Sequence, residues 1–319
     1  MFFLTGFSFI LTLKLMKLQL KHIDIQIAAV LFLFSIHLWP GPGRVNDPAL
    51  LPDTDQKFNF AIIGDRTGAG PDSWKILDQA IEEINRLQPD FAVMIGDAIE
   101  GSRQSAQNPY EWEEAFSHLD ALKVPLFLIP GNHDIFNASS YRLWKEKIGQ
   151  PYHAFSYRGC RFLFLNTEES HGTGEEGLGT QQMRFIRDEI VNQPYRHLFL
   201  FMHQPMWILD EGLGKQWKEI EKLLQSRSYT VVAGHLHVLA AKRKDGNLML
   251  IQGPTGGHMR MQRNPALGFF QHITWVTVDR GRPVFAFIEP GRIYGESTAL
   301  QAYQRYVQSI MLLDHYSSE

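Results

Sequence analysis

Between residues 58 and 237 short apolar runs alternate with segments of helical period, and five of those runs end on residues that bind cations or move protons. Such alternation reads as strands alternating with helices. Phe58–Gly64 leads into Asp65, and Leu77, Ala80, Ile81, Ile84 and Leu87 then form one apolar helical stripe that Pro89 stops. Phe91–Gly96 delivers Asp97, a helix is expected around Tyr110–Leu122, and the strand Pro125–Ile129 runs into Gly131-Asn132-His133-Asp134. Strands His153–Tyr157 and Arg161–Asn166 precede a glycine-rich loop (Gly172, Gly174, Gly177, Gly179) and a helix through Met183–Ile190. His197–Met202 delivers His203, a helix follows near Trp217–Leu224, and Tyr229–Ala233 delivers Gly234-His235-Leu236-His237. Beyond this point strands alone are expected, in hairpins about Asp245-Gly246 and Arg280-Gly281, before a helix over residues 297–313.

The order predicts an α/β fold, a four-layer sandwich of two mixed β-sheets packed face to face and flanked by helices. Open α/β sheets place ligand sites at the carboxyl ends of their strands, and Asp65, Asp97, Asn132, His133, His203, His235 and His237 all fall there. Singly, an aspartate after a strand is an N-cap or turn residue, and a histidine beside an apolar run is a hydrogen-bonded core residue. Jointly, carboxylate, amide and imidazole recur at equivalent strand ends, and His235 and His237 share one side of an extended segment. That recurrence predicts one site. Cys160 is the single cysteine, so a metal there takes nitrogen and oxygen ligands and a disulfide framework is excluded.

Against 34 Asp and Glu stand 31 Lys and Arg, a net charge of −3 without a basic block, so no nucleic-acid footprint is expected. No Gly-x-Ser-x-Gly occurs, which leaves serine-nucleophile chemistry unsupported. Residues 1–45 have a different composition: apolar runs Phe2–Leu13 and Ile25–Trp39 flank lysines 14, 17 and 21, and a Pro-Gly-Pro-Gly break follows at 40–43. Ile27–Trp39 is 13 residues, short of the about 20 that a spanning helix needs. Read from Met16, the basic start and apolar middle have the layout of an export signal. No small-x-small cleavage site follows, so a membrane anchor is the alternative. The protein is therefore expected to be extracytoplasmic or membrane-anchored, with a cytoplasmic location as the remaining option. The expected organisation is a signal or anchor over 1–45, a main domain over 56–290 and a C-terminal helical extension over 291–319.

Five blocks, Gly64-Asp65-Arg66-Thr67, Gly96-Asp97, Gly131-Asn132-His133-Asp134, His203 and Gly234-His235-Leu236-His237, stand in an order that resembles the calcineurin-like metallophosphoesterase family. The resemblance covers roughly residues 58–290. It implies two divalent metal ions (Mn, Fe or Zn), with Asp97 bridging them, Asp65 and His237 on the first, and Asn132, His203 and His235 on the second. Such a pair sits about 3.5–4 Å apart and activates a shared water as hydroxide for in-line attack on phosphorus. His133 matches the family's non-ligand histidine, which assists the leaving group; Asp134 either holds its tautomer or acts as a cap. The implied activity is hydrolysis of a phosphate mono- or diester on a phosphorylated small-molecule, lipid or protein substrate.

One position departs from the family. Its first block carries Asp-x-His, and here Thr67 replaces the histidine, as in a subgroup with Gly-Asp-Arg-Thr-Gly. A hydroxyl is a weaker ligand than imidazole, so the first metal is expected to keep Asp65, Asp97, His237 and water. Glu100 occupies the place of the tyrosine that a purple ferric centre uses, which argues against that centre. Arg66 is read either as a phosphate contact or as a structural ion pair, Gly253–His258 as a loop lining the pocket, and His171 with Glu175 and Glu176 as part of a specificity loop or a solvated one. The rival function is a non-catalytic, metal-containing domain that binds a phosphorylated ligand, and Thr67 is its support.

Overall fold

The computed structural model describes residues 45–51, 57–70, 72–101 and 107–307. The expected signal or anchor segment lies outside them but for Val45, as does the end of the C-terminal extension. In chain order the first half comprises β1 (Lys57–Ile63), α1 (Asp72–Leu87), β2 (Phe91–Met94), α2 (Asn108–Leu119), β3 (Leu126–Leu128) and α3 (Ala138–Lys147). Then come β4 (His153–Tyr157), β5 (Cys160–Phe164), α4 (Glu169–Thr173), α5 (Gly179–Asn192), β6 (His197–Phe201), α6 (Leu213–Leu223) and β7 (Tyr229–Ala233). The remainder is β8 (Ala240–Lys244), β9 (Asn247–Ile251), β10 (Ile273–Asp279), β11 (Arg282–Glu289), β12 (Arg292–Gly295) and α7 (Glu296–Ala302).

Two six-stranded mixed sheets result, in the orders β12-β11-β10-β1-β2-β3 and β4-β5-β6-β7-β9-β8. In the first, β1, β2 and β3 are parallel and β10 to β12 antiparallel; in the second, β5, β6, β7 and β9 are parallel. Side chains alternate across each strand, and here the alternation sorts residue types. On the inner faces Phe58, Phe60, Phe91 and Phe127 of the first sheet meet Phe155, Phe162, Phe164, Phe199 and Phe201 of the second. Rings cross the seam edge to face, Phe60 with Phe199 at 5.2 Å and Phe91 with Phe162 at 5.3 Å between centroids, a geometry the ring quadrupole favours. The intervening residues face helices instead: Ala61, Ile63, Ala92 and Met94 pack with Leu77, Ile81 and Ile84 of α1. Leu198, Leu200 and Val231 pack with Ile186 of α5 and Trp217 and Ile220 of α6. The four layers are helix, sheet, sheet and helix.

Several elements differ from the sequence expectation. Helix α3 was not expected, because only Ser140 and Trp144 are buried and no apolar stripe marks it; Asn137 starts it by accepting from the backbone of Ser139 and Ser140. After residue 290 the chain first forms the edge strand β12 on β11 and only then α7, whose Ala299 and Ala302 are buried. The first sheet therefore runs past 290 to Gly295. At the other end, Val45 bridges Leu126 in parallel, and Asn46 exchanges side-chain hydrogen bonds with the backbone of Leu128. These residues cover the β3 edge that would otherwise present unpaired backbone groups.

Candidate active site

The parallel strands of both sheets turn their carboxyl ends to one rim. From the first sheet come Asp65 after β1, Asp97 after β2 and Asn132 after β3; from the second come His203 after β6 and His235 and His237 after β7. Asn132 Oδ1 lies 3.0 Å from His203 Nε2 and 2.9 Å from His235 Nδ1, and those two ring nitrogens are 3.3 Å apart. Asp97 Oδ2 is 3.4 Å from His203 Nε2, and Asp65 Oδ2 is 3.3 Å from His237 Nε2. The six ligand-type side chains predicted from the sequence thus fall in two contact groups, Asn132, His203, His235 and Asp97 in one and Asp65 and His237 in the other.

The donor chemistry fits a cation. His203 Nδ1 donates to the Ile95 carbonyl at 2.8 Å, so the neutral ring presents an Nε2 lone pair to a carboxylate and an amide oxygen. Lone pairs facing lone pairs need a cation or an added proton between them. Asp65 Oδ1 is buried and has no hydrogen-bond partner among the described residues, which is costly unless something positive meets it. One ligand atom each from Asp65, Asp97 and His203 lies within 4.8 Å of the others. Burial opposes charge on His203, yet Asp97, Asp65 and Glu168 raise its pKa well above the usual value. Burial also works against the Asp97 carboxylate, but His203 holds its pKa below the usual range. His235 is pushed down to about 4 by burial and by the neighbouring His203.

Backbone strain accompanies the site. Asp97, His235 and His237 sit at φ of 54°, 69° and 52°, a region that costs non-glycine residues of order 1–3 kcal/mol each. Asp134 holds the Asp97 turn: its carboxylate accepts from the backbone N–H of Asp97, Ala98, Ile99 and Gly131 at 2.7, 3.0, 3.2 and 2.8 Å. Of the two roles considered for Asp134, the cap is the one seen. Gly96 is required sterically, since a Cβ there would come 2.7 Å from His203 Nδ1 and 2.8 Å from the Gly131 nitrogen. His133 instead places Nδ1 2.6 Å from the Glu100 carbonyl, and its backbone N–H donates to Asp97 Oδ1 at 2.9 Å. With Nδ1–H donating, the neutral His133 ring keeps its lone pair on Nε2.

Thr67 is buried, its hydroxyl 3.5 Å from Asp97 Oδ2. Arg66 is also buried: Nε donates to the Ala98 carbonyl, Nη1 to Ser73 Oγ, Glu100 lies 3.3 Å away, and Trp74 lies under the guanidinium. These contacts are those of the structural ion pair. The loop Gly253–His258 runs beside Asp65–Gly68, as its backbone hydrogen bonds to Asp65 and Thr67 show. A further cluster escaped the sequence reading: Thr167 and Glu168 after β5 are buried, and Gln204 Nε2 and Thr167 Oγ1 donate to Glu168. Glu168 is one of the carboxylates that raise His203, and His171 Nδ1 is 3.4 Å from it. The signal available was the strand end itself, because β5 closes at the same rim as β6.

Residues 58–239 match the family model for the calcineurin-like phosphoesterase. The serine/threonine-protein phosphatase CPPED1 of Mus musculus is 27% identical over 224 residues, which cover 62% of this chain and 70% of that protein. A dimetal phosphatase from Danio rerio superposes at a TM-score of 0.57 over 74% of this chain and 98% of that one, with 16% identity. PhoD does so at 0.57 over 77% of this chain and 70% of that one, with 11% identity. At such identities the two structures speak for the fold alone. The family match spans more than half of the chain, and the protein belongs to the calcineurin-like phosphoesterase family.

Proposed function

We propose that this protein is a dinuclear metal-dependent phosphoesterase in which Asp65, Asp97 and His237 hold one divalent ion and Asp97, Asn132, His203 and His235 hold the other. The observation that carries the reading is the convergence of ligand atoms of Asp65, Asp97 and His203 within 4.8 Å of one another, together with a buried Asp65 Oδ1 that has no hydrogen-bond partner among the described residues. Bound there, Mn, Fe or Zn would supply Lewis acidity, lowering the pKa of a coordinated water and neutralising phosphoryl charge. The protein's own part is positional. His203 is oriented by the Ile95 carbonyl and His237 by the His258 carbonyl, which fixes the nitrogens that face the ions. His133 is oriented by the Glu100 carbonyl at Nδ1, and the Nε2–H of its imidazolium form would protonate the departing oxygen. Arg66 is tied to Glu100, Ala98 and Ser73 through Nε and Nη1, and phosphate charge is assigned to the ions and His133.

The substrate class we propose is a phosphorylated protein or small molecule, with phosphoserine and phosphothreonine peptides first because the mouse relative is named a serine/threonine-protein phosphatase. Thr67 favours a second reading, a non-catalytic domain holding a phosphorylated ligand; the oriented His133 weighs against it. Turnover of an aryl phosphomonoester and an aryl phosphodiester by protein reconstituted with Mn, Zn or Fe separates the two and gives the bond type. Asp97 is shared between both ligand sets, so Asp97→Asn is expected to lose more activity than any other ligand change. Near wild-type turnover in that variant would refute the shared carboxylate.

We further propose that residues 1–45 export or anchor the protein. The support is the basic start and apolar middle of that segment read from Met16; among the described residues no helix is long and apolar enough to cross a membrane. Fractionation of cells expressing the full chain or a chain starting at Val45 tests this. Equal distribution of both between membrane and soluble fractions, with neither exported, overturns it.

A further inference from the structure

Thr67 leaves the first metal one imidazole short of the family pattern, and the fold brings the backbone of another histidine, His258, beside it. Residues 255–258 lie along Asp65–Gly68: Thr255 N–H donates to the Asp65 carbonyl at 3.0 Å and His258 N–H to the Thr67 carbonyl at 2.8 Å. The loop is braced from behind. Gly256 N–H donates to Gln271 Oε1, Gln271 Nε2 donates to the Gly257 carbonyl, and Thr255 Oγ1 donates to the His272 carbonyl, each at 2.7 Å. Small residues permit the approach. A Cβ on Gly257 would come 2.5 Å from the Asp65 carbonyl oxygen and 3.1 Å from His237 Cε1, and one on Gly68 would come 3.1 Å from His258 Cβ.

His258 is thereby bonded through its backbone to both sides of the first subsite. Its N–H meets Thr67, which stands where the family histidine does, and its carbonyl accepts from Nδ1 of His237 at 2.5 Å. The imidazole itself is exposed and has no hydrogen bond to a described residue. We propose that His258 is a ligand of the first metal, supplying from the loop after β9 the imidazole that Thr67 cannot. The inference rests on the two-metal reading above. Neutral imidazole is a far better ligand for Mn, Zn or Fe than a threonine hydroxyl. Fixing an exposed side chain on an ion costs rotamer entropy, so this subsite is expected to bind more weakly than the one built on strand ends.

The test is calorimetric titration of metal-free protein with Zn²⁺ and Mn²⁺, with bound metal counted after desalting, for wild type, His258→Ala and the double variant Thr67→His/His258→Ala. Wild type is expected to take up two equivalents with unequal constants. His258→Ala should leave the tighter constant unchanged and weaken the other by about tenfold or more. Thr67→His should restore the weaker constant in the His258→Ala background, an outcome that a loss of folding does not produce. Both constants within twofold of wild type in His258→Ala would overturn the assignment of His258. Fewer than two equivalents bound by saturated wild type would overturn the two-metal reading itself, and that result appears before any substitution is made.

Discussion

His133 and Asp134 are neighbours in the chain and act on different things. His133 is steered by the Glu100 carbonyl and points a nitrogen outward, whereas Asp134 turns inward to four backbone N–H groups. If His133 protonates the leaving oxygen, His133→Ala should slow hydrolysis of an alkyl phosphate by about 10²–10⁴-fold and that of an activated aryl phosphate far less. Steady-state kcat on the two substrates measures this, and equal losses would mean that His133 binds or stabilises charge instead. At this scale the side chains of the site were legible, because carboxylate, amide and imidazole recur in the sequence at matching strand ends. The role of Asp134 was legible only as one of two readings. Its partners are backbone N–H groups, which every residue but proline owns, and nothing in the letters marks which ones a fold will leave unpaired. Arg66 was ambiguous for a similar reason: Ser73 and Trp74 of α1 and Ala98 and Glu100 after β2 surround it only once the chain has folded.

Strands were legible where both of their faces are covered. In β1, β2, β5 and β6 the phenylalanines face the seam and most of the alternate residues are aliphatic and face helices, so each run is largely apolar and stands out. Strand β12 is an edge in which Arg292, Ile293 and Gly295 are exposed, and no apolar run announces it. The loop over 253–258 was placed near the pocket by its position after the histidine pair, but its course along Asp65–Gly68 depends on contacts over nearly two hundred residues of sequence. That course gives a prediction. Gly257→Ala adds a methyl where only 2.5 Å separates it from the Asp65 carbonyl oxygen, and such crowding costs about 1–3 kcal/mol. Urea unfolding of the metal-free variant should register that loss, and metal titration should show weakened binding. A variant as stable as wild type with unaltered metal uptake would show that the loop yields freely and does not brace the site.

Across the whole molecule the ligand set divides by sheet: Asp65, Asp97 and Asn132 come from the first, and His203, His235 and His237 from the second. Oxygen donors stand on one side of the aromatic seam and imidazoles on the other. Ions held between them should stabilise the folded state by about 2.7 kcal/mol per site at a hundredfold excess over Kd, which raises Tm by several degrees in a domain of this size. Thermal melts across a Zn²⁺ or Mn²⁺ series check this, with Asp97→Asn as the variant whose response should be small. A Tm that ignores metal in the wild type would mean that the two sheets do not share an ion. The same division sets an order during synthesis. Asp65, Asp97 and Asn132 leave the ribosome early, the histidines follow only by residue 237, and β1 lacks its neighbour β10 until residues 273–279 are made. A nascent chain therefore carries three separate oxygen donors and no complete cage, so it has little with which to capture an ion before nearly all of it has been translated.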